Sequence, residues 1–289
     1  MAELDAFNPK QVAVVIPHYR EVLNEDERQS LNQCAEVLGR YDLFMVLPEG
    51  IEGNNITDLF AQKRISIDRK CFPKEYFDGI RGYNQLMLSK QFYQTFVEYE
   101  YILIYQTDAF VFRDELTEWC ERGYDYIGAP WFQSYWFWRS NTKLWTSGNG
   151  GFSLRKVSSF LKVLNHKGTF KPLRSFLNIN NSPLLKIKKL PINQLFKLTI
   201  ENTVEFFIAI NQTTEDRFWG VDTMESYIDF NVAPNEIAMR FSFECNPRDL
   251  YQLTNQELPF GCHAWKKYDK DFWNEVYFNL RKSELTSDK

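Results

Sequence analysis

The sequence has no long hydrophobic run. Its first apolar segment, residues 12–16, spans five residues, and no stretch approaches the roughly 18 apolar residues that a membrane-spanning helix needs. The first ten residues carry Glu3 and Asp5 and lack the basic start and apolar centre of a signal peptide. We therefore expect a cytoplasmic protein.

Positive charge and closely spaced cysteines are also scarce. The formal net charge of the 289 residues is −4, so the chain lacks the basic character that accompanies nucleic-acid binding, and we expect no nucleic-acid partner. The five cysteines are an odd number and none lies within three residues of another, which favours reduced thiols over a disulfide framework or a zinc knuckle. They are Cys34, Cys71, Cys120, Cys245 and Cys262.

Aromatic residues, in contrast, are abundant. They make up 17% of the chain and apolar residues make up 44%, whereas charged residues stay at 25%, a balance typical of a folded protein with a substantial core. An apolar run at 12–16, a helical pattern at 26–38 and a second apolar run at 41–47 predict a right-handed strand–helix–strand unit. The architecture is therefore expected to be α/β.

Further elements follow the same patterns. We predict strands at 101–105, 109–112 and 124–128, and helices at 82–97, 114–123, 201–210, 222–227 and after residue 269. The strand at 101–105 is nearly all apolar, so we expect it to be central. No repeat, low-complexity tract or linker interrupts the pattern, and we expect one domain over residues 1–289.

Two segments are unusual in composition. Residues 131–145 contain Trp131, Trp136, Trp138 and Trp145, and either line a site or belong to the core. Residues 161–200 contain seven lysines and one arginine but no acidic residue. This basic insertion would suit an anionic membrane surface or a lipid-phosphate acceptor, and a solvated excursion is the alternative.

The first candidate site residues lie beside the predicted central strand. Asp108 follows that strand, where open α/β sheets bind ligands, and its carboxylate would suit a divalent cation that carries phosphate oxygens. Residues 147–151 contain three glycines, which would let a ligand approach the backbone closely. The alternatives are a carboxylate that caps a turn and a tight turn without a ligand.

Two further candidates lie in the C-terminal third. Glu215 and Asp216 adjoin aromatic residues, so partial burial could raise the pKa of one carboxyl group towards that of a general base. His263, one of three histidines, lies among glycine and aromatic residues. The alternatives are a helix N-terminal acidic pair and a histidine satisfied within the core.

In this order, the four segments resemble the GT-A glycosyltransferases, and specifically a little-characterised family of bacterial and fungal GT-A-like transferases. The resemblance extends from Val12 to about Trp265 and implies a Rossmann-like mixed central sheet flanked by helices. It also implies a nucleotide-binding half at about 10–130, an acceptor half at about 131–268 and an insertion at about 161–200.

The resemblance implies roles for the donor-site residues. Gln106-Thr107-Asp108 stands where GT-A enzymes have an Asp-any-Asp motif, with glutamine in place of the first acid. Asp108 and His263 would bind a divalent cation, Mn²⁺ or Mg²⁺. The remaining donor-site residues by this resemblance are Pro17 and Tyr19 at the nucleotide, Lys90 at the diphosphate, and Asn149, Gly150 and Gly151 beside the sugar.

The implied reaction moves a sugar from a nucleotide-diphosphate donor, expected to be a UDP-sugar, to a hydroxyl acceptor of a glycan or glycoconjugate. Asp216, paired with Glu215, would be the base of an inverting hexosyltransferase, and Trp131 and Trp219 would contact the acceptor. Surface glycan or polysaccharide synthesis at the inner membrane face would be the setting. A nucleotidyltransferase and a sugar-binding module without catalysis are the alternatives.

Overall fold

The computed structural model describes residues 10–133, 143–171, 203–211 and 213–278. The strands are β1 Lys10–Pro17, β2 Asp42–Pro48, β3 Asp68–Phe72, β4 Tyr99–Tyr105, β5 Phe110–Val111, β6 Tyr126–Ile127, β7 Pro130–Phe132, β8 Leu144–Ser147, β9 Phe152–Lys156, β10 Ser242–Phe243 and β11 Gly261–Cys262. The α-helices are α1 Glu25–Leu38, α2 Asn54–Gln62, α3 Gly79–Met87, α4 Lys90–Gln94, α5 Leu116–Glu121, α6 Val157–Leu164, α7 Val204–Asn211, α8 Glu215–Arg217, α9 Asn235–Phe241, α10 Pro247–Leu253 and α11 Lys270–Trp273.

A six-stranded sheet with the order β3-β2-β1-β4-β9-β6 organises these elements. The strands from β3 to β4 are parallel, whereas β9 is antiparallel to both of its neighbours. The predicted fold class, a mixed α/β sheet flanked by helices, is confirmed. Because β9 follows residue 131, both halves expected from the sequence contribute strands to this sheet.

The sheet is apolar on both faces, as expected for strands covered by helices on each side. Along β4, Tyr101, Leu103 and Tyr105 face one core cluster with α1, α2 and α5. Ile102 and Ile104 face the other cluster, with α3, α4, α6 and α7. The alternation follows from the two-residue period of a strand.

The predicted β1–α1–β2 unit is confirmed, with a well-defined start of the helix. Asn24 caps α1 by accepting a hydrogen bond from the backbone of Glu27, and the Glu27 carboxylate accepts one from the backbone of Asn24. This reciprocal pair is a capping box, which satisfies two donors that a helix start leaves free. It also holds the Glu27 side chain at the C-terminal end of β1.

Two helix predictions need correction. The segment 82–97 forms two helices, because the Ser89 hydroxyl accepts a hydrogen bond from the backbone of Phe92 and starts α4 anew. The helix expected at 222–227 is instead a π-helix at Phe218–Asp222 that follows α8 and ends in a turn. A 3₁₀ helix, Lys74–Phe77, was not predicted, and the helix expected after residue 269 consists of α11 followed by a π-helix, Asn274–Phe278.

Two small sheets complete the described part. The strands β10, β11 and β5 form one, in which β11 is antiparallel to β5 and pairs Gly261 with Val111. The β7–β8 hairpin forms the other, with an irregular register between Trp131 and Phe132. No helix among the described residues has the length and hydrophobicity to span a membrane.

The basic insertion is described only up to Lys171. Lys162 lies on α6, half-exposed, beside Asp229. Lys171 is fully buried, and its ammonium group lies 2.7 Å from the Asp222 carboxylate. The expectation that Lys171 contributes to a basic surface is therefore wrong, because this charge is neutralised inside the protein. Arg174, Lys186, Lys188, Lys189 and Lys197 lie outside the described residues, as do Trp136 and Trp138.

Candidate active site

A cleft of about 530 Å³ opens at the C-terminal ends of β1 and β4. Its floor includes Pro17 and Gln106, which directly follow or end these strands. Ligands bind at this edge in parallel sheets because strand ends and helix starts leave polar backbone groups there. The other lining residues are His18, Tyr19, Arg20, Asn24, Asp26, Glu27, Tyr76, Phe77, Gly79, Ile80, Tyr83, Thr107, Asp108, Ala264, Trp265, Lys266 and Lys267.

Asp108 and His263 meet at one end of this cleft. The Oδ1 atom of Asp108 lies 3.2 Å from Nε2 of His263, and the Oε1 atom of Gln106 lies 3.0 Å from the same nitrogen. Asp108 follows β4 and His263 follows β11, so the pairing of β11 with β5 brings the two side chains together. The two metal-ligand candidates from the sequence are thus neighbours.

Glu244 contacts the ring nitrogen of His263 that does not face Asp108. Its Oε1 atom lies 3.0 Å from Nδ1 of His263. Burial disfavours a charge on His263, but the hydrogen bonds with Asp108 and Glu244 outweigh it and raise the pKa of His263 to about 10. Although partial burial opposes ionisation of Asp108, its hydrogen bond with His263 holds its pKa below the usual value.

These residues fit a divalent cation. Within the described ranges, no three His, Cys, Asp or Glu side chains are grouped as a metal site. One carboxylate, one imidazole and one amide oxygen nevertheless converge, and Mg²⁺ and Mn²⁺ commonly take few protein ligands beside phosphate oxygens and water. The Glu244 contact resembles the outer-shell carboxylate that orients many metal-binding histidines.

The glycine-rich loop separates this cluster from the acidic pair. A Cβ atom at Gly151 would come within 2.1 Å of Nε2 of His263, and one at Gly150 within 1.5 Å of Oε1 of Glu215. Asn149 adopts a left-handed conformation with φ of 64°, and its side chain accepts a hydrogen bond from the Gly151 backbone. Glycine is required at both positions because the Glu215 carboxylate and the His263 imidazole occupy the space that a side chain would fill.

Glu215 is an interior residue. Its Oε1 atom accepts a hydrogen bond of 3.1 Å from Nη2 of Arg155, and both side chains are almost completely buried. Asn84 accepts a hydrogen bond from the Glu215 backbone. Burial raises the pKa of Glu215 to about 7, although the Arg155 charge opposes the rise.

Asp216 is more accessible than its neighbour. Its side chain is only partly buried, and its Oδ1 atom accepts a hydrogen bond from the backbone of Arg217. Burial raises the pKa of Asp216 above the usual value, and the nearby Glu244 charge acts in the same direction. A substrate hydroxyl could reach Asp216 more easily than the enclosed Glu215.

Some of the remaining residues selected from the sequence line the cleft, and others do not. Pro17, Tyr19 and Thr107 line the cleft, and Tyr19 is 57% exposed at its mouth. Lys90 begins α4 and is not among the cleft-lining residues. Trp131 lies over Gly148, whose Cβ position is 2.3 Å from the indole ring.

The expectation that Trp219 contacts an acceptor is corrected by its position. Trp219 is fully buried, with its ring centre 4.0 Å from that of Phe160, and its indole N–H donates to the Met87 carbonyl. The aromatic pattern around residues 218 and 219 reflects the core, because a ring enclosed on all sides cannot reach a bound ligand.

Several residues of the site were missed from the sequence. Glu27 accepts hydrogen bonds from Arg20 and from the Thr107 hydroxyl, which links α1 to the end of β4. His18 is 2% exposed, its pKa is lowered by burial, and its Nε2 atom has no hydrogen-bond partner among the described residues. Lone polar residues carry no periodic signal, so only their spatial grouping marks them.

Comparisons with known proteins identify the family. The model of a family described as "Protein of unknown function (DUF5672)" matches residues 66–263, and the chain belongs to this family. No curated protein sequence matches the chain significantly.

Two solved structures are similar in outline. The core-mannan synthase A of Aspergillus fumigatus, in a form with Mn and GDP, aligns with a TM-score of 0.40 and 10% identity over 54% of this chain; the match spans 63% of that protein, less than two thirds of its length. The apo form of mouse xyloside xylosyltransferase 1 aligns with a TM-score of 0.46 and 11% identity, over 88% of this chain and 97% of that one.

Proposed function

We propose that this member of the DUF5672 family is a glycosyltransferase that moves a sugar from a nucleoside-diphosphate sugar, with a UDP-sugar as the first candidate, to an acceptor hydroxyl. One observation carries the proposal. The segments around residues 106, 150, 215 and 263 are far apart in sequence, yet they meet beside a single cleft at the end of β4. Such a cleft, with convergent polar groups, is a typical substrate site.

The donor would lie along the cleft with its diphosphate at the Asp108 end. Tyr19, Tyr76 and Phe77 offer aromatic surface for the nucleoside, and Lys267 supplies positive charge, whereas Lys266 is paired with Asp26. The Lys267 charge already helps to lower the pKa of Asp108. Aromatic surface and a cationic group in one cleft match a nucleoside diphosphate.

Asp108, His263 and the amide oxygen of Gln106 would hold the divalent cation. When bound, a Mn²⁺ or Mg²⁺ ion would neutralise charge that develops on the departing diphosphate. Glu244 keeps Nε2 of His263 directed at Asp108. Gln106 supplies a neutral donor where GT-A enzymes have a carboxylate, so this site would carry less negative charge.

Asp216 would act as the general base. It would accept the proton of the acceptor hydroxyl as that oxygen forms a bond to the anomeric carbon, while the bond from this carbon to the diphosphate oxygen breaks and its electrons leave with the diphosphate. A raised pKa improves a carboxylate as a proton acceptor. A single displacement of this kind inverts the anomeric configuration.

Glu215 would support the base rather than replace it. Because it is enclosed and paired with Arg155, it anchors the start of α8 and thereby orients Asp216. Asn149, Gly150 and Gly151 would lie between the sugar and the acceptor. The glycan or glycoconjugate class of the acceptor, a cytoplasmic location and contact with an anionic membrane through residues 161–200 belong to the same proposal.

The decisive experiment is a donor screen. Wild-type protein would be incubated with UDP-glucose, UDP-galactose, UDP-xylose and GDP-mannose, with Mn²⁺, Mg²⁺ or EDTA, and released nucleoside diphosphate would be measured. We expect release from one donor, loss of release with EDTA, and a decrease of about 100-fold or more for Asp108→Asn and Asp216→Asn.

The matched control is Asp58→Asn, an exposed aspartate on α2, which should keep wild-type turnover. Release of pyrophosphate from a nucleoside triphosphate would identify a nucleotidyltransferase instead. Binding of a sugar without release from any donor would indicate a binding module. Either result would reject the proposal.

A further inference from the structure

The β7–β8 hairpin presents two tryptophans on the surface next to the candidate active site. Trp131 pairs with Thr146 in register and Phe132 pairs with Leu144, so Trp145 is the extra residue of a bulge. The ring centres of Trp131 and Trp145 lie 6.0 Å apart with an angle of 32° between their planes. Trp145 is 44% exposed, which is unusual for the largest apolar side chain.

The β7–β8 hairpin packs against the π-helix that follows the proposed base Asp216. The Thr146 hydroxyl donates to the Gly220 carbonyl at 3.0 Å, which ties β8 to the π-helix at Phe218–Asp222. A Cβ at Gly220 would come within 2.2 Å of the Ser147 carbonyl oxygen, so the two backbones touch. We call Trp131 and Trp145 the platform. Because β8 is attached to the π-helix that follows Asp216, the platform has a fixed position relative to Asp216.

The platform lies at a short distance from the proposed reaction centre. The Trp131 ring covers the Cβ position of Gly148, and the His263 imidazole covers that of Gly151. Three Cα steps separate these glycines, a span of at most about 11 Å. This upper bound keeps the tryptophan pair close to the loop that contacts His263, so an acceptor with its hydroxyl at Asp216 would also reach the indole rings.

Polar groups accompany the exposed indole. The guanidinium carbon of Arg217 lies over the Trp145 ring, 5.9 Å from its centre, and Arg217 directly follows Asp216. A sugar ring has an apolar face of C–H groups and an equatorial rim of hydroxyls. The exposed part of the Trp145 indole matches the apolar face, and the donors of the adjacent guanidinium match the hydroxyls.

We propose that Trp145, supported by Trp131 and flanked by Arg217, is an acceptor subsite that binds a sugar ring of an oligosaccharide. The acceptor class is therefore a glycan rather than a lone hydroxyl compound. This inference rests on the proposed glycosyl transfer, because that reaction makes the platform part of an acceptor path.

The test is a binding measurement that needs no turnover. Saturation-transfer-difference NMR would be recorded with maltotriose, cellotriose, mannotriose and xylotriose on wild type, Trp145→Ala, Trp145→Phe and Leu253→Ala. Leu253 is 47% exposed on α10 and serves as the control. We expect Trp145→Ala to weaken the affinity for the bound trisaccharide about ten-fold, with Trp145→Phe and Leu253→Ala close to wild type.

The melting temperature of each variant would verify that the fold is kept, and Trp145→Phe provides a second comparison. Wild-type affinity in Trp145→Ala, or no saturation transfer to any trisaccharide, would overturn the subsite. Donor-only release of nucleoside diphosphate would be measured on wild type and on Leu253→Ala and should be the same in both. Trp145-dependent binding without release from any donor would reject the transferase proposal and keep a glycan site.

Discussion

The Arg155 guanidinium lies 3.1 Å from the Glu215 carboxylate in an interior from which solvent is excluded. The arginine also donates to the Tyr93 hydroxyl, the Ser153 hydroxyl and the Gly150 carbonyl. The pair therefore joins β9, the glycine-rich loop and the start of α8. Removal of the Glu215 carboxylate should therefore lower the free energy of unfolding, by an amount that depends on which residue replaces it.

Glu215→Leu should be much less stable than Glu215→Gln. Leucine leaves the Arg155 charge buried without its carboxylate, which costs about 3–5 kcal/mol, whereas glutamine keeps an oxygen that accepts a hydrogen bond and should cost about 1–2 kcal/mol. Urea unfolding followed by fluorescence would give both values. Equal stability of the two variants would show that Arg155 is satisfied without residue 215.

The stability of wild type relative to Glu215→Gln should depend on pH. The pKa of Glu215 is raised to about 7, from the ordinary value of 4.5 that applies when the chain unfolds. The folded state then binds the proton more tightly, so this contribution to stability is present below pH 4.5 and is lost as the pH rises through 7. The change should not exceed about 3 kcal/mol.

Urea midpoints at several pH values between 5 and 8 would measure this difference. Titrations of other groups occur in both proteins and largely cancel in the comparison. A difference between wild type and Glu215→Gln that stays constant, or grows in favour of wild type, as the pH rises would contradict the raised pKa.

Glu244→Gln should weaken cation binding without disturbing the fold. The Glu244 carboxylate orients His263 through Nδ1, and loss of such outer-shell partners typically lowers metal affinity about 10–100-fold. Calorimetric titration with Mn²⁺ would test this on wild type, Glu244→Gln and Glu118→Gln, the last an exposed control on α5. If all three bind Mn²⁺ equally, Glu244 has no part in the site.

Gly151→Ala should displace His263. The added methyl group would lie 2.1 Å from Nε2 of the imidazole, so one of the two must move, at a cost of about 1–3 kcal/mol. We expect lower thermal stability together with weaker Mn²⁺ binding. Gly168→Ala is the matched control, because its nearest neighbour is the movable His166 side chain. Wild-type Mn²⁺ binding in Gly151→Ala would show that the loop does not position His263.

The elements with strong local patterns could be predicted from the sequence. β1, α1 and β2 lie where the apolar runs and the helical spacing indicate. β9 was not identified as an antiparallel strand, because its buried face includes Ser153 and Arg155. These polar residues are compatible with the core only through partners from distant segments, which no local pattern reveals.

The residues of the candidate site also fall into those that the sequence could indicate and those that it could not. Asp108, the glycine-rich loop, the Glu215-Asp216 pair and His263 could be selected in order along the chain, because their residue types carry recognisable chemistry. Glu244, Arg155 and Glu27 could not, since an isolated charged residue has the same local appearance whether it faces solvent or a site. Trp219 had the appearance of a contact residue and proved to be enclosed by aromatic side chains.

The sequence alone determined the α/β class, the first strand–helix–strand unit and a short set of chemically capable residues, because backbone propensity and apolar periodicity are local properties. The tertiary structure decided which of these residues meet. It brought His263 to Asp108 by strand pairing, enclosed Glu215 against Arg155 and left Trp145 exposed. Burial and partnership depend on contacts between distant segments, and these exist only once the chain has folded.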